Sequence, residues 1–394
     1  MDFSIKDLDD DTLAFWHEVR EWFDEVVTED VHEEERRTGA GGNRKAHQAL
    51  GKKGWIFPTW AVEDGGAGLD PFRASLISLE LNLHKVPYSA GLSTTTLVAP
   101  ALLQWWEGEI RREFTLGAAR GEILFCLGYT EPDGGSDLAS VRTRATRDGD
   151  EWVINGSKMF TTGAQNGDYA FSLIRSDPSL PKHRGLTMFM VPLRAPGVEI
   201  QAVHTMGGER TNAVFFDDVR VPDSLRVGPE NQGWGVLHGP LNREHSMTEE
   251  GPKPLEEEAG VLSRARSPLT DSMDAVVAWA RQPDHEGRRP INDPRIRARL
   301  AEIEMNFVAA SLTPGPPGRV IRAETFIQDT ANIVDLVGPD ALISYGQPGA
   351  ISDGIFEYAH RFAQGTAIYG GTTDVMRNMI AEKFLGMPRN RPLN

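Results

Sequence analysis

The chain has 394 residues, material for two or three domains and a large core. Hydrophobic residues make up 40% and charged ones 25%, the balance of a folded globular protein rather than a disordered one. Its 41 Lys and Arg against 57 Asp and Glu leave a net charge of -16, which repels phosphate backbones and anionic lipid and sets nucleic-acid and membrane-surface functions aside.

The acidic opening Met1–Asp11 is unlike a basic secretory or transit segment, and no apolar run approaches the ~18 residues of a membrane span. The single cysteine, Cys126, can form neither an internal disulfide nor a thiolate cluster. The expected setting is a reducing compartment, most simply a bacterial-type cytoplasm. In chain order, Leu13, Trp16, Val19, Trp22, Phe23 and Val26 fall at helical spacing and predict a helix over 11–27. Two more helical stretches are expected at 72–83 and 97–116. The texture changes near Gly128. Between 151 and 221 the runs 152–154, 169–174, 186–191 and 214–216 are short, aromatic and branched, with Gly, Pro and Asp between them, as in a small antiparallel β domain. From Gly233 the helical period returns and continues to Leu385, with loops expected at 249–254, 282–294 and 313–318. Helices, then strands, then helices argue for an α+β fold with segregated domains, expected at 1–122, 123–232 and 233–394.

The ten histidines are scattered with no paired spacing on a helix, so no metal site is expected. A Gly-x-Ser-x-Gly elbow, a P-loop and a Gly-x-Gly-x-x-Gly turn are all missing. The informative segment is Tyr129-Thr-Glu-Pro-Asp-Gly-Gly-Ser-Asp137. Its glycines let backbone approach a ligand closely, and Thr130 and Ser136 offer hydroxyls. On composition alone it reads more readily as a β-turn loop at a domain junction, because Gly, Asp and Ser runs are mostly turns.

That segment resembles the Thr-Glu-Pro-x-x-Gly-Ser-Asp signature of the acyl-CoA dehydrogenases. Further matches are Arg142-x-Arg-Ala-x-Arg-Asp-Gly-Asp-Glu-Trp-Val-Ile-Asn-Gly-Ser-Lys-Met-Phe-Thr-Thr162, Val219-Arg-Val-Pro222, Gly228-Pro-Glu-Asn-Gln-Gly-Trp234 and Ile368-Tyr-Gly-Gly-Thr-Thr-Asp-Val-Met-Arg377. They run in the family's order over essentially the whole chain. The resemblance implies an N-terminal helical domain, a middle β-barrel or sandwich domain and a C-terminal four-helix bundle. It also implies an FAD-dependent enzyme that makes a double bond beside an acyl-CoA thioester carbonyl.

Carried over residue by residue, Leu127, Tyr129, Thr130, Gly135 and Ser136 are expected to line the flavin through backbone and hydroxyl hydrogen bonds. Phe160, where the family usually has Trp, is expected to pack against the isoalloxazine, with Thr161 and Thr162 beside it and the Thr162 hydroxyl aimed at its N5 region. Thr372, Thr373 and Asp374, opening the last helix, are expected near a phosphate. Substrate contacts are expected from Ser136, Asn242, His245 and Gly371.

The general base needs a carboxylate facing the acyl chain. Many members place it in a C-terminal Tyr-Glu-Gly-Thr, but here that position is Gly370. A second group of members places it on the first helix of the C-terminal domain, and in Leu237-His-Gly-Pro-Leu-Asn-Arg-Glu-His245 the matching residue is Glu244. An isolated helical Glu is ordinarily a solvated surface residue. The vacated position at 370 and the matching register favour Glu244 as base. Gly370 keeps the backbone N–H that the family directs at the thioester oxygen. His245 stands where the family usually has Arg.

The expected activity is α,β-dehydrogenation of an acyl-CoA with electrons passed to an electron-transfer flavoprotein. The alternatives are an oxidase or flavin monooxygenase on the same fold, or a non-catalytic assembly subunit. Asn-x-Glu on the base helix, His183-Arg-Gly-Leu186 and Pro348-Gly-Ala350 look most like actinobacterial enzymes of steroid side-chain degradation, which implies a bulky CoA ester. Homotetrameric members hold a neighbour's FAD with Arg-x-x-Phe-Gly and Gly-Gly-x-Gly. Here those regions read Gln282-Pro-Asp-His-Glu-Gly287 and Val337-Gly-Pro-Asp-Ala-Leu342, with acids where a phosphate would sit. The expected assembly is therefore an α2β2 heteromer with a second acyl-CoA dehydrogenase-like subunit, in which this chain is catalytic. A homotetramer that uses Arg288 or Arg289 instead is the competing arrangement.

Overall fold

The computed structural model describes residues 8–39, 41–87, 94–247 and 267–389, with the side chains of Asn242–Met247 outside that description. Helix α1 (Asp10–Val26) begins where the Asp9 carboxylate accepts from the Thr12 N–H at 2.8 Å, and it buries Val19 and Phe23. Helix α4 (Pro71–Leu83) has the same logic, with Asp70 as cap and Pro71 in the first turn, where a missing N–H costs nothing. Between them lie α2 (Glu29–Thr38) and α3 (Arg44–Lys52), which the apolar period does not announce. Helix α2 has no buried residue at all. The single stretch expected at 97–116 is two helices, α5 (Thr94–Trp105) and α6 (Gly108–Ala119). The chain turns at Gly108, whose φ of 69° only glycine adopts freely, while the Trp106 indole is buried and donates to the Arg226 carbonyl at 2.6 Å.

The strands are β1 (Phe125–Gly128), β2 (Arg144–Asp148), β3 (Glu151–Lys158), β4 (Tyr169–Arg175), β5 (Leu186–Pro192), β6 (Val198–His204), β7 (Arg210–Pro222) and β8 (Arg226–Val227). They form one sheet in the order β6-β7-β3-β2-β4-β5-β8, with β1 also on β4. The sheet is mixed rather than wholly antiparallel, because β1 and β2 both run parallel to β4. One face packs Trp152, Ile154, Phe189, Val191, Val214 and Val219 together. The other presents Phe171, Leu173, Met188 and Met190 to the helical core of Phe23, Leu50, Val98, Leu102 and Phe114. Strands β4 and β5 are thus covered on both faces, which explains their unbroken apolar runs.

Helix α7 (Gly233–Met247) follows, and Val236 and Leu237 join that same core. Among the described residues, those through Thr205 together with Glu209–Glu244 form one compact unit, and Met206–Gly208, 245–247 and 267–389 belong to a second.

The second unit is helical: α8 (Pro268–Arg281), α9 (Pro294–Ser311), α10 (Gly315–Val337), α11 (Ile355–Thr366) and α12 (Thr373–Met379), which runs on into the π-helical turn Ile380–Phe384. Helix α10 packs on α9, α11 and α12, and the core gathers Met273, Val276, Ile303, Phe326, Ile333 and Phe356. The loop expected at 313–318 is instead the first turn of α10, since Pro316 and Pro317 sit where no amide is required. The loop expected at 282–294 joins α8 to α9 and contains only the short 3-10 turn Pro290–Asn292. The one expected at 249–254 lies outside the described residues. Among the described residues no helix is long and apolar enough to cross a membrane.

Candidate functional site

In the first unit, the Tyr129–Asp137 loop leaves the sheet at Gly128, where a Cβ would run into the Ser172 hydroxyl. Its geometry is set by Glu131, which is buried and accepts from the Arg142 N–H at 2.6 Å, the Thr143 N–H at 3.0 Å and the Lys158 ammonium at 2.8 Å. Lys158 is fully buried and also donates to the Leu173 carbonyl at 2.6 Å. Burial pulls the Lys158 ammonium down to about 8, with the carboxylate opposing it. Burial alone would raise Glu131, but the ammonium and the amide donors outweigh it and hold the carboxyl below the usual range. Arg175, itself buried, donates to the Ala139 carbonyl at 2.6 Å and the Lys182 carbonyl at 2.8 Å and so fixes the far end of the loop. On this scaffold Thr130 and Leu127 are half-buried, and Gly135 and Ser136 face solvent. The Tyr129 ring is turned into the core against Phe171, so its contribution to a ligand is its backbone.

Strand β3 ends beside that loop, and the Met159 N–H donates to the Thr130 carbonyl at 2.9 Å. Phe160 follows with φ 57° and is 58% exposed. A bulky residue in the left-handed region stores on the order of 1–3 kcal/mol and persists only when its surroundings over-determine it. They do so here. The Thr161 N–H donates to the Asn212 carbonyl at 2.9 Å, and the Asn212 amide donates back to the Thr161 carbonyl at 3.0 Å. Thr161 is buried, whereas Thr162 is exposed with its hydroxyl 3.1 Å from that of Thr211. An exposed aromatic residue, an adjacent hydroxyl and a glycine-rich loop whose Gly135 and Ser136 face solvent suit a planar, phosphate-bearing heterocycle. These residues fit FAD.

Helix α7 is anchored at its start. Asn231 (φ 64°) donates its N–H to the Thr187 hydroxyl at 2.8 Å and accepts from Ser176 at 2.7 Å, and the Ser176 and Thr187 hydroxyls are 2.6 Å apart. Gly233 presses on the β5 backbone, where a Cβ would lie 2.7 Å from the Thr187 Cα. A helix fixed there carries Glu244 about 16 Å along its axis. Asn242, Glu244 and His245 all lie on α7, and their side chains fall outside the described residues.

In the second unit, Gly370 (φ 64°) and Gly371 (φ 88°) form the turn before α12. Thr372 caps that helix, its hydroxyl accepting from the Val375 N–H at 3.1 Å. The Thr373 N–H donates to the Ala367 carbonyl at 3.0 Å, Thr373 is buried and Asp374 is exposed. Two amides of the opening turn, expected near a phosphate, are thus already engaged. In the α8–α9 loop the Asp284 carboxylate accepts from the Arg288 guanidinium at 3.1 Å, and Glu286 pairs with the same guanidinium at 2.9 Å. Arg288, which directly follows the altered motif, is paired with the loop's own acids. Among the described residues no cluster of His, Cys, Asp and Glu could hold a metal ion.

Motif reading missed Lys158, Arg175 and the Ser176–Thr187–Asn231 cluster. For Lys158 a signal was present, since it falls on the same alternate positions of β3 as Trp152 and Ile154, and a lysine on a buried face needs a partner.

Family models of acyl-CoA dehydrogenases match the chain three times: the N-terminal domain at residues 9–122, the middle domain at 126–219 and the C-terminal domain at 326–385. The acyl-CoA dehydrogenase FadE26 of Mycobacterium tuberculosis is 32% identical over 94% of this chain and 96% of its own length. Among solved structures, the Tcur3481-Tcur3483 steroid ACAD aligns with a TM-score of 0.81 at 30% identity, covering 99% of this chain and 100% of that one. The ChsE4-ChsE5 complex from Mycobacterium tuberculosis aligns with a TM-score of 0.77 at 29% identity, covering 98% and 99%.

Proposed function

This chain belongs to the acyl-CoA dehydrogenase family, and from that premise we propose that it oxidises a bulky, steroid side-chain CoA ester with Glu244 as the base. The family is FAD-dependent, and in this chain Thr130, Gly135, Ser136, Phe160 and Thr162 would hold the flavin. The single observation that carries the reading is Phe160, forced into the left-handed region and exposed beside the Thr162 hydroxyl. Such strain is retained where a ligand uses it.

Bound there, the flavin supplies the acceptor for the hydride that leaves the substrate β carbon. Glu244 takes the α proton. A carboxylate enclosed by an acyl chain loses hydration, which raises its pKa toward that of an effective base. The Gly370 N–H donates to the thioester oxygen as negative charge develops on it. Asn242, His245, Ser136 and Gly371 contact the CoA ester, while Thr372, Thr373 and Asp374 border a phosphate.

The steroid assignment is supported by the name of one structural relative, a steroid ACAD. The two-component complex named for another supports a heteromer in which a second acyl-CoA dehydrogenase-like chain completes the FAD phosphate site. The self-paired loop of Asp284, Glu286 and Arg288 points the same way. Electron-transfer flavoprotein is the proposed acceptor, the cytoplasm the proposed location, and 1–122, 123–232 and 233–394 the proposed domains. The test is the visible spectrum of the protein purified together with its partner chain. Flavin bands bleached by a steroid side-chain CoA ester, and not by a medium-chain one, are expected. Glu244→Gln should keep the flavin and lower turnover by about three or more orders of magnitude, and near-normal turnover would exclude Glu244 as base.

A further inference from the structure

Two consecutive glycines at positive φ make the turn before α12 intrinsically loose, yet the proposed oxyanion donor sits in it. Backbone bonds hold its ends. The Ile368 N–H donates to the Gly365 carbonyl at 2.9 Å, and the Thr373 N–H to that of Ala367 at 3.0 Å. The peptide between Tyr369 and Gly370 is held from elsewhere. Arg319, in the second turn of α10, is only 7% exposed, and its Nη2 donates to the Tyr369 carbonyl at 2.6 Å and the Thr366 carbonyl at 2.6 Å. Thr366 is the last residue of α11, whose final carbonyls have no partner within the helix. One guanidinium nitrogen therefore ties a helix end to the turn.

The Tyr369 C=O and the Gly370 N–H belong to a single planar trans peptide, in which they point in opposite directions. Fixing the oxygen fixes the direction of the N–H. A cation bonded to the carbonyl also draws electron density out of the amide and strengthens its N–H as a donor. Among the described residues other than its chain neighbours, the one atom within 4 Å of an ideal Cβ on Gly370 is the Arg319 Nη2, at 4.0 Å. We propose that Arg319 is a positioning residue, which grips the Tyr369 carbonyl from inside the bundle and so aims and polarises the Gly370 N–H. This rests on the assignment of that N–H as donor to the thioester oxygen.

The experiment uses the FAD-loaded enzyme in its native assembly, with Arg319→Met and Arg319→Lys. Hydrogen exchange of peptides covering 366–373 reads the grip directly. The enolate of acetoacetyl-CoA, followed by its charge-transfer absorption with the oxidised flavin, reads donor strength through its apparent pKa. In Arg319→Met, exchange at Gly370 and Gly371 should quicken about tenfold, with no change in the β1–β5 sheet. The bound enolate's pKa should rise by about one unit, and kcat should fall about tenfold with KM within about twofold. Arg319→Lys, which keeps a cation of similar reach, should lie between, and it carries the test if the Met variant does not fold. Unchanged exchange over 366–373 would overturn the grip and leave Gly370 standing as donor. Faster exchange with an unchanged enolate pKa would overturn Gly370 as donor, and the positioning role with it.

Discussion

Asp329 offers a test of how the helical unit is balanced. It lies on α10 with no exposed surface, and one carboxylate oxygen accepts from the Asn306 amide on α9 at 3.0 Å. The other oxygen is buried without a partner among the described residues. Burial pushes the carboxyl up to about 6, Asn306 opposing and the nearby Glu302 charge adding to it. Against the ordinary value of 3.8, that shift makes the ionised group cost about 3 kcal/mol at neutral pH. Because the folded pKa is the higher one, the folded state binds more protons between about 4 and 6. The stability contribution is therefore complete below pH 4 and is lost as pH rises through 6. Asp329→Asn removes the charge and keeps the acceptor for Asn306. Desolvating the new amide returns about 1 kcal/mol, so a net gain of about 1–2 kcal/mol is expected at pH 7.5, or roughly 3–8 °C in the melting temperature of this unit. Calorimetry of both proteins from pH 5.0 to 7.5 should show the gap opening as pH rises. A variant that melts lower at pH 7.5, or two melting curves that stay parallel across the range, would refute the reasoning.

In the first unit, Lys158→Met leaves the Glu131 carboxylate buried without its ammonium, which should cost about 3–5 kcal/mol and release flavin, measured by denaturant titration and by the ratio of flavin to protein absorbance. Glu131→Gln with Lys158→Met should recover part of that loss. The wild-type contribution of Glu131, whose folded carboxyl lies below its ordinary value, should be present above the usual Glu range and fade as acid titrates through the folded value. Expressed alone, the chain should be flavin-poor, and co-expression with an adjacent acyl-CoA dehydrogenase-like chain should restore colour. A stable homotetramer with one FAD per chain would sink the heteromer.

Local amphipathicity made part of the fold legible. Helix α1 places an apolar stripe on the core, and the aromatic runs of β3, β4 and β5 stand out between Gly and Pro clusters. Helix α2 is invisible to that method because it buries nothing, and β6 because its side chains are half-buried or exposed in no strict alternation. The break between α5 and α6 is hidden for the opposite reason, since the apolar period runs through Trp105 and Trp106 while the chain turns at Gly108. The parallel pairing of β1 with β4 joins strands separated in the chain by β2 and β3 and has no local signature.

The site divides along the same line. Groups that would face a ligand, such as Thr130, Ser136, Phe160, Thr162 and Gly370, sit in contiguous motifs because a turn's shape is a property of neighbouring residues. The groups that aim them come from far along the chain: Lys158 reaches Glu131 across 27 residues, Arg175 reaches Ala139 across 36, Arg319 reaches Tyr369 across 50 and Ser176 reaches Asn231 across 55. Three of these four are cations in places where solvation is lost, so each must find its acceptor as the fold closes, and a turn gripped this way is ordered only when the core around it is complete. Loss of such a grip should therefore appear first as misdirected chemistry and weakened flavin retention, ahead of any change in the residues that touch the ligand.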